Sequence, residues 1–359
     1  MTARAFVIVL SILAASLAPG CGRPQAAQAG VVSVASTSAL LDRLQRASPG
    51  EVIVLAPGVY TGVRIQGFEF DRPVEIRGQG AIFRDLLVRN SRGLTFRDLT
   101  FQVQPEGTPN QFVVMRSQDV RLHGLNVHGP LAEAPLKGKG GLMLRESTRV
   151  GVSRSTFHQT QHGLTILDCT DVEVLENRFH NLQTDGLRGG GNARLVIRGN
   201  DFRDFFPAPG DHPDAIQQWT THTTRSGSDI VIEGNVIARG QGAPMQGVFL
   251  RDGKQQKLPY QRVRIAGNAL MGTLYNGIMV DGGDEIEIVG NLVVGFPDQK
   301  SWIRLESVRN AVLTDNTVQL LHLKGGVAGL VERGNRIIPP ARDGGRAAYA
   351  AWKQASGAD

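Results

Sequence analysis

The chain has 359 residues, 44 of them glycine, with 41% hydrophobic and only 6% aromatic content. That balance suits many short strands and tight turns, and fits helical, coiled-coil and disordered classes poorly. A net charge of +6 favours acidic partners, but no run of Lys and Arg stands beside aromatics as a nucleic-acid module would require, so no nucleic-acid partner is expected.

In chain order, Arg4 and the apolar run Ala5 to Ala18 read as a secretory signal, with Ala27-Gln28-Ala29 as the cleavage site and residues 1–29 removed. Cys21 offers a lipoprotein alternative to a soluble periplasmic or secreted form. Nothing after residue 30 is apolar enough to span a bilayer. Cys169 is then the one certain cysteine of the mature chain, expected as a buried small hydrophobe, with no intramolecular disulfide. Leu40, Leu41 and Leu44 at helical spacing predict a short amphipathic helix ending before Pro49, placed to cap the first layer of the structure that follows. Strands are expected at 52–55, 63–65 and 74–76, then in GLTFRDLTF from Gly93.

From there two β phrases alternate. One ends in asparagine: VEVLEN at Asn177, LVIRGN at Asn200, IVIEGN at Asn235, VRIAGN at Asn268, IEIVGN at Asn291, AVLTDN at Asn316 and VERGN at Asn335. The other begins HGLTI at His162, DGLRG at Asp185, DAIQQ at Asp214, QGVFL at Gln246 and NGIMV at Asn276. Two short strands per repeat at a fixed period mean a solenoid of stacked coils over residues 30–338, one continuous domain, expected to be a monomer. Pro339-Pro340 ends the array, leaving 339–359 as a terminal helix or loose tail. The asparagines are expected to form a turn ladder, bonding local backbone and tolerating left-handed φ. Register places Leu164, Leu187, Ile216, Val248 and Ile278 inward, and Thr165, Arg188, Gln217, Phe249 and Met279 outward. Beyond these lie Arg145, Leu167, Gly190, Trp219, Arg251 and Asp281.

The plain coil from Asn177 to Asn200 takes 23 residues, as does Asn268 to Asn291. Asn200 to Asn235 is longer on both sides of the strand at Asp214, and Asn235 to Asn268 on both sides of the strand at Gln246. An early coil, with Leu125 in the asparagine place, is longer before Gly140. Loops walling a rigid sheet face make a groove, and function concentrates there. The insertions supply Asp211-His212-Pro213-Asp214, THTTR from Thr221, Arg251 with Asp252, Lys254, Lys257 and Tyr260, and Lys137 with Lys139. Asp185, Arg188 and His162 lie on adjacent coils.

The repeat pattern, with SPGEVIVLAPGVYTG near the start, resembles the right-handed parallel β-helix of the pectate-lyase-like superfamily over nearly the whole mature chain. The resemblance implies an all-β solenoid and a group that includes polysaccharide lyases, C5-epimerases, glycoside hydrolases and adhesins. Asp211-His212-Pro213-Asp214 resembles the Asp-Pro-His-Asp motif of mannuronan C5-epimerases with its middle residues exchanged. Gln183-Thr184-Asp185-Gly186 is similar to the Asn-Thr-Asp motif of polygalacturonases, but that family's Asp-Asp and Gly-His-Gly partners are missing.

Lyases and epimerases of uronic acids both begin by removing the C5 proton, which requires a neutralised carboxylate and a positioned base. The expected roles are His212 as base, Arg188 and Arg251 neutralising the carboxylate, and Tyr260 protonating the leaving oxygen. Asp185, Asp211 and Asp214 would orient His212 or jointly hold Ca²⁺. Lys137, Lys139, Arg145, Gln217, Trp219, Lys254 and Lys257 would hold an acidic polysaccharide. Two other classes stay open: a glycoside hydrolase using Asp185 and Asp214, and a non-catalytic polysaccharide-binding protein stacking sugars on Trp219 and Phe249.

Overall fold

The computed structural model describes residues 30–131, 134–253, 257–325 and 327–356. The expected signal segment with Cys21, and Lys254, lie outside these residues. Among the described residues, 22 strands join in one continuous sheet that wraps two faces of the solenoid, and 12 strands of two or three residues form a third face. Each coil thus turns through three strands, as in Thr160–Leu167, Thr170–Leu175 and Arg178–His180. Pairing between coils is parallel throughout, so the fold is a parallel β-helix.

The inner column runs Leu142, Leu164, Leu187, Ile216, Val248, Ile278 and Ile303, in the register expected from the phrases. Each of these side chains is buried, and removing one branched aliphatic from water contributes about 1.5–3 kcal/mol. On the third face Phe157, Phe179 and Phe202 stack with ring centroids 4.8 and 4.6 Å apart. Coil spacing alone brings identical side chains to this distance.

The asparagine ladder differs from its expected form. The left-handed backbone falls on the preceding residue (Glu176, Gly199, Gly234, Gly267, Gly290, Asp315 or Gly334) and not on the asparagine. Each asparagine bonds between coils, and Asn200, Asn268 and Asn291 also donate to the local carbonyl two residues before, as expected. Asn235 Nδ2 donates to Ile197 O and to Asn268 Oδ1, while its Oδ1 accepts from the Asn200 amide. Ser155 and Leu125 continue the column toward the N-terminus. Cys169 is buried in a parallel turn column, its thiol pushed up to about 11 by burial.

The N-terminal helix spans Thr37–Leu44, with Ser36 capping it by accepting from the Ala39 amide, and buries Leu40 and Leu44 over the first coil. The strand expected at 74–76 is part of a longer one, Glu69–Arg77. The C-terminal segment is a helix, Arg346–Ser356. It lies on the flank of the third face, where Trp352 packs against Ala269, Met271, Leu292 and Val294 and its indole donates to Gly290 O.

Candidate active site

The two lengthened coils lie side by side and line a cleft of about 630 Å³. Its lining is His212, Gln217, Gln218, Trp219, Thr221, Phe249, Arg251 and Gly253. The cleft lies on the face carrying the strands Asp214–Trp219 and Gln246–Arg251. Strand pairing aligns Gln217 with Phe249 and Trp219 with Arg251, so the floor is set by the scaffold. The walls are held from beneath. Arg225 donates to Gly191 O and Cys169 O, tying its loop across two coils. Asp252 accepts from the Thr220 hydroxyl and the Leu258 amide, and so shapes the second loop.

At the strand start Asp214 is 0% exposed, and its Oδ2 lies 3.0 Å from His212 Nδ1 and accepts from Gln217 Nε2 at 2.7 Å. Its Oδ1 has no hydrogen-bond partner among the described residues. Burial pushes the Asp214 carboxyl up to about 7. The hydrogen bond to Asp214 in turn holds His212 above the usual histidine range. The two groups are close enough to titrate as a coupled pair. The His212 side chain is 57% exposed, its ring edge-on to Phe249 at 5.5 Å. Gln246 Nε2 donates to the outer ring nitrogen, Nε2. With Nδ1–H directed at Asp214, that nitrogen carries the lone pair a base needs.

Behind this pair stands a second. His162 Nδ1 is 2.7 Å from Thr184 Oγ1 and 3.4 Å from Asp185 Oδ2, and burial pushes His162 below the usual range. Asp185 Oδ1 also accepts from the Asp214 amide at 3.3 Å, so the two pairs are joined.

The site brings together His212, Asp214, Gln217, Trp219 and Arg251 as expected. Arg251 is largely exposed, with Asp281 at 3.7 Å. Arg188 sits deeper, 3.5 Å from Asp185 Oδ2 and packed over the Trp219 ring, and does not line the cleft. Tyr260 corrects the expectation of a proton donor. It is 1% exposed within the core, where its ring packs against Gly227 and burial raises its hydroxyl well above the ordinary range. Lys137, Lys139 and Arg145 lie on a strand beyond the cleft. Lys139 donates to Gly107 O, Arg145 pairs with Glu146, and Lys137 is exposed. Lys257 is exposed on the second loop.

The Ca²⁺ expectation does not fit these donors. Asp211 accepts from Gln183 Nε2 and the Ala208 amide, which makes it a loop brace. Asp185 is turned to His162, Arg188 and the Asp214 amide, and no group of three or more metal-ligating side chains is gathered among the described residues.

Sequence reasoning assigned no role to His162, Gln246, Asn276 or Trp302. Gln246 and Asn276 open the same answering phrases as Asp214, so following that column coil by coil would have found them. Among the described residues no helix is long and apolar enough to cross a membrane.

No curated protein sequence matches this chain. Among solved structures it is similar to the Dettilon tailspike protein, at 14% identity and TM-score 0.53, covering 83% of this chain and 61% of that one. It is also similar to the periplasmic alginate epimerase AlgG, solved as a double mutant, at 15% identity and TM-score 0.53, covering 87% and 80%. A third is the surface protein and adhesin PfbA of Streptococcus pneumoniae, at 11% identity and TM-score 0.51, covering 85% and 94%. The chain spans less than two thirds of the tailspike, and at these identities the likeness is one of fold. Residues 111–293, half of the chain, match the family model described as a right handed beta helix region. The same parallel pairing continues on both sides of that match, and the protein belongs to the right handed beta helix family.

Proposed function

We propose that this protein acts on an acidic, uronate-containing polysaccharide by abstracting a C5 proton, as a lyase or a C5-epimerase. The observation that carries the reading is the His212–Asp214 pair: an exposed imidazole at the mouth of a cleft, held by a wholly buried carboxyl. Asp214 is a positioning residue. It fixes the His212 tautomer and raises its basicity, as a buried carboxylate does for a catalytic imidazole.

Substrate displaces Gln246 from His212 Nε2, and that nitrogen takes the C5 proton. The C–H electrons pass into the uronate carboxylate, whose growing negative charge Arg251 would meet across the cleft. Delivery of a proton from solvent water to the opposite face of C5, with His212 releasing the one it took to solvent, gives the epimer. Breakage of the C4–O bond, with the proton passing to the leaving oxygen, gives the unsaturated product. With Tyr260 buried, His212 itself is the group placed to hand that proton on. Phe249 and Trp219 offer ring faces for the sugar. Asp185 and Asp214 are both buried, which disfavours their direct attack on a glycosidic bond as a hydrolase pair.

The test is incubation with a panel of acidic polysaccharides in D₂O. Ultraviolet absorbance reads unsaturated ends, and proton NMR reads C5 inversion or deuterium at C5. Either product, lost in His212→Ala, supports the reading. No unsaturation, inversion or C5 deuterium on any polymer overturns it, and new reducing ends without unsaturation would indicate a hydrolase.

A further inference from the structure

We infer that the groove continues past the cleft to a second sugar-binding station, built by Tyr275, Trp302 and His322, for an unreacted residue of the same acidic glycan chain. The inference rests on the polysaccharide reading above and extends it to substrate length.

These side chains lie on the same face, on successive coils beyond Gln246. Asp214 pairs with Gln246, and Asn276 with Trp302. The Trp302 indole N–H donates to Asn276 Oδ1 at 2.9 Å, Asn276 Nδ2 donates to Gln246 Oε1, and Gln246 Nε2 donates to His212. A continuous row of hydrogen bonds therefore joins the platform to the proposed base. The rings form a compact surface: Tyr275 to Trp302 is 5.4 Å between centroids, and Trp302 to His322 is 5.6 Å, edge-on.

Tyr275 is the telling residue. Its backbone has φ 36, a left-handed conformation that a bulky aromatic rarely adopts, beside a register shift between Asn276 and Ile278. Its ring is nevertheless 50% exposed. A glycine would relieve the backbone at no loss of core packing, so the strain presents a ring to solvent. An aromatic face with a hydrogen-bonded amide beside it is suited to the apolar face and hydroxyls of a pyranose ring. Two strand steps of about 4.8 Å separate the Asp214 row from the coil of Tyr275, roughly 10 Å, and three separate it from Trp302, roughly 14 Å. A disaccharide held at His212 reaches at most the edge of Tyr275 and falls short of Trp302, and a longer oligomer covers both.

The experiment measures binding of sized oligomannuronates and oligogalacturonates, disaccharide to hexasaccharide, by isothermal titration. Tyr275→Gly, which removes the ring and relieves the backbone, and Trp302→Ala should each weaken hexasaccharide binding about tenfold, and Trp302→Ala should leave disaccharide binding unchanged. Trp302→Phe, which keeps a ring, should retain most of the affinity, and melting curves confirm that each variant is folded. Unchanged hexasaccharide affinity in folded Tyr275→Gly and Trp302→Ala overturns the station while leaving the His212 chemistry untouched. Length-dependent binding lost in these variants, without C5 exchange or unsaturation in the wild type, supports the station and overturns the chemistry instead. No wild-type binding to either oligomer series overturns the station.

Discussion

His212 Nδ1 lies 3.0 Å from Asp214 Oδ2, yet the two side chains occupy opposite environments: the carboxyl is fully buried and the imidazole faces the cleft. A carboxyl without water relies on its few protein partners, so it grips the imidazole and turns it outward. His212→Ala should lower turnover by a factor of about 10²–10⁴ with little change in binding. Asp214→Asn should leave the ring in place but in the wrong tautomer, with a smaller loss in kcat than in His212→Ala. Steady-state kinetics on the active polymer check both, and equal turnover in wild type and His212→Ala would remove the base.

The pH profile follows from the same pair. His212 must be neutral to accept a proton, and Asp214 raises its pKa above the ordinary histidine value. Activity should therefore climb with pH, its midpoint above about 6.5. Asp214→Asn should move that midpoint down. A midpoint that stays fixed in Asp214→Asn would show that His212 is not the titrating group.

Arg251 and Arg145 share one outward column, separated by Leu167, Gly190 and Trp219, but only Arg251 borders the cleft. Arg251→Ala should reduce kcat/KM by at least about tenfold, with Arg251→Lys recovering part of it. Arg145→Ala should change it by less than about twofold, since its ion pair with Glu146 is exposed. Equal effects at the two positions would argue for general charge attraction over a placed group.

Asn235→Ala should destabilise the coil stack. The substitution removes the acceptor of the buried Asn200 amide and the donor to Ile197 O, each costing about 1–3 kcal/mol when left unpaired. Urea unfolding should show a loss of at least about 2 kcal/mol with the same sign at Asn268. A neutral Asn235→Ala would mean that water replaces the ladder.

On the third face His128, His158 and His180 stack at 5.2 and 4.9 Å. Burial, with its histidine neighbours, pushes His158 down to about 4, and burial lowers His180 as well. The unfolded chain thus binds more protons than the folded one between about pH 6.5 and 4, so stability contributed by this row is lost as pH falls through that window. His158→Gln, measured by melting temperature against pH beside the wild type, should flatten that part of the curve. Parallel curves would exclude the row as an acid-sensitive element.

Much of the fold was legible because a solenoid repeats one local rule. Inward Leu164, Leu187, Ile216, Val248 and Ile278 follow from period-two alternation once the phrases are aligned, and a slip of one residue would have put every one of them in water. Counting between asparagines likewise located the lengthened coils. Tyr260 was misread because its loop neighbours are polar, while its own position begins a strand whose first side chain turns inward. The ladder asparagines were legible only in part: Asn200, Asn268 and Asn291 do bond local backbone, but in a stack each also bonds a carbonyl of the coil before, and the left-handed φ falls on the residue ahead of it.

Coil repetition, strand register, the helix at residues 37–44 and the two lengthened loops are all written in local periodicity and spacing. Which of the many charged residues meet is another matter. Arg188 retreats over Trp219 toward Asp185, Asp211 braces its own loop, and Gln246, Asn276 and Trp302 join His212 in one row. Those outcomes depend on burial and on contacts between coils some 23–35 residues apart, where desolvation selects which polar groups must pair and no local pattern records the choice.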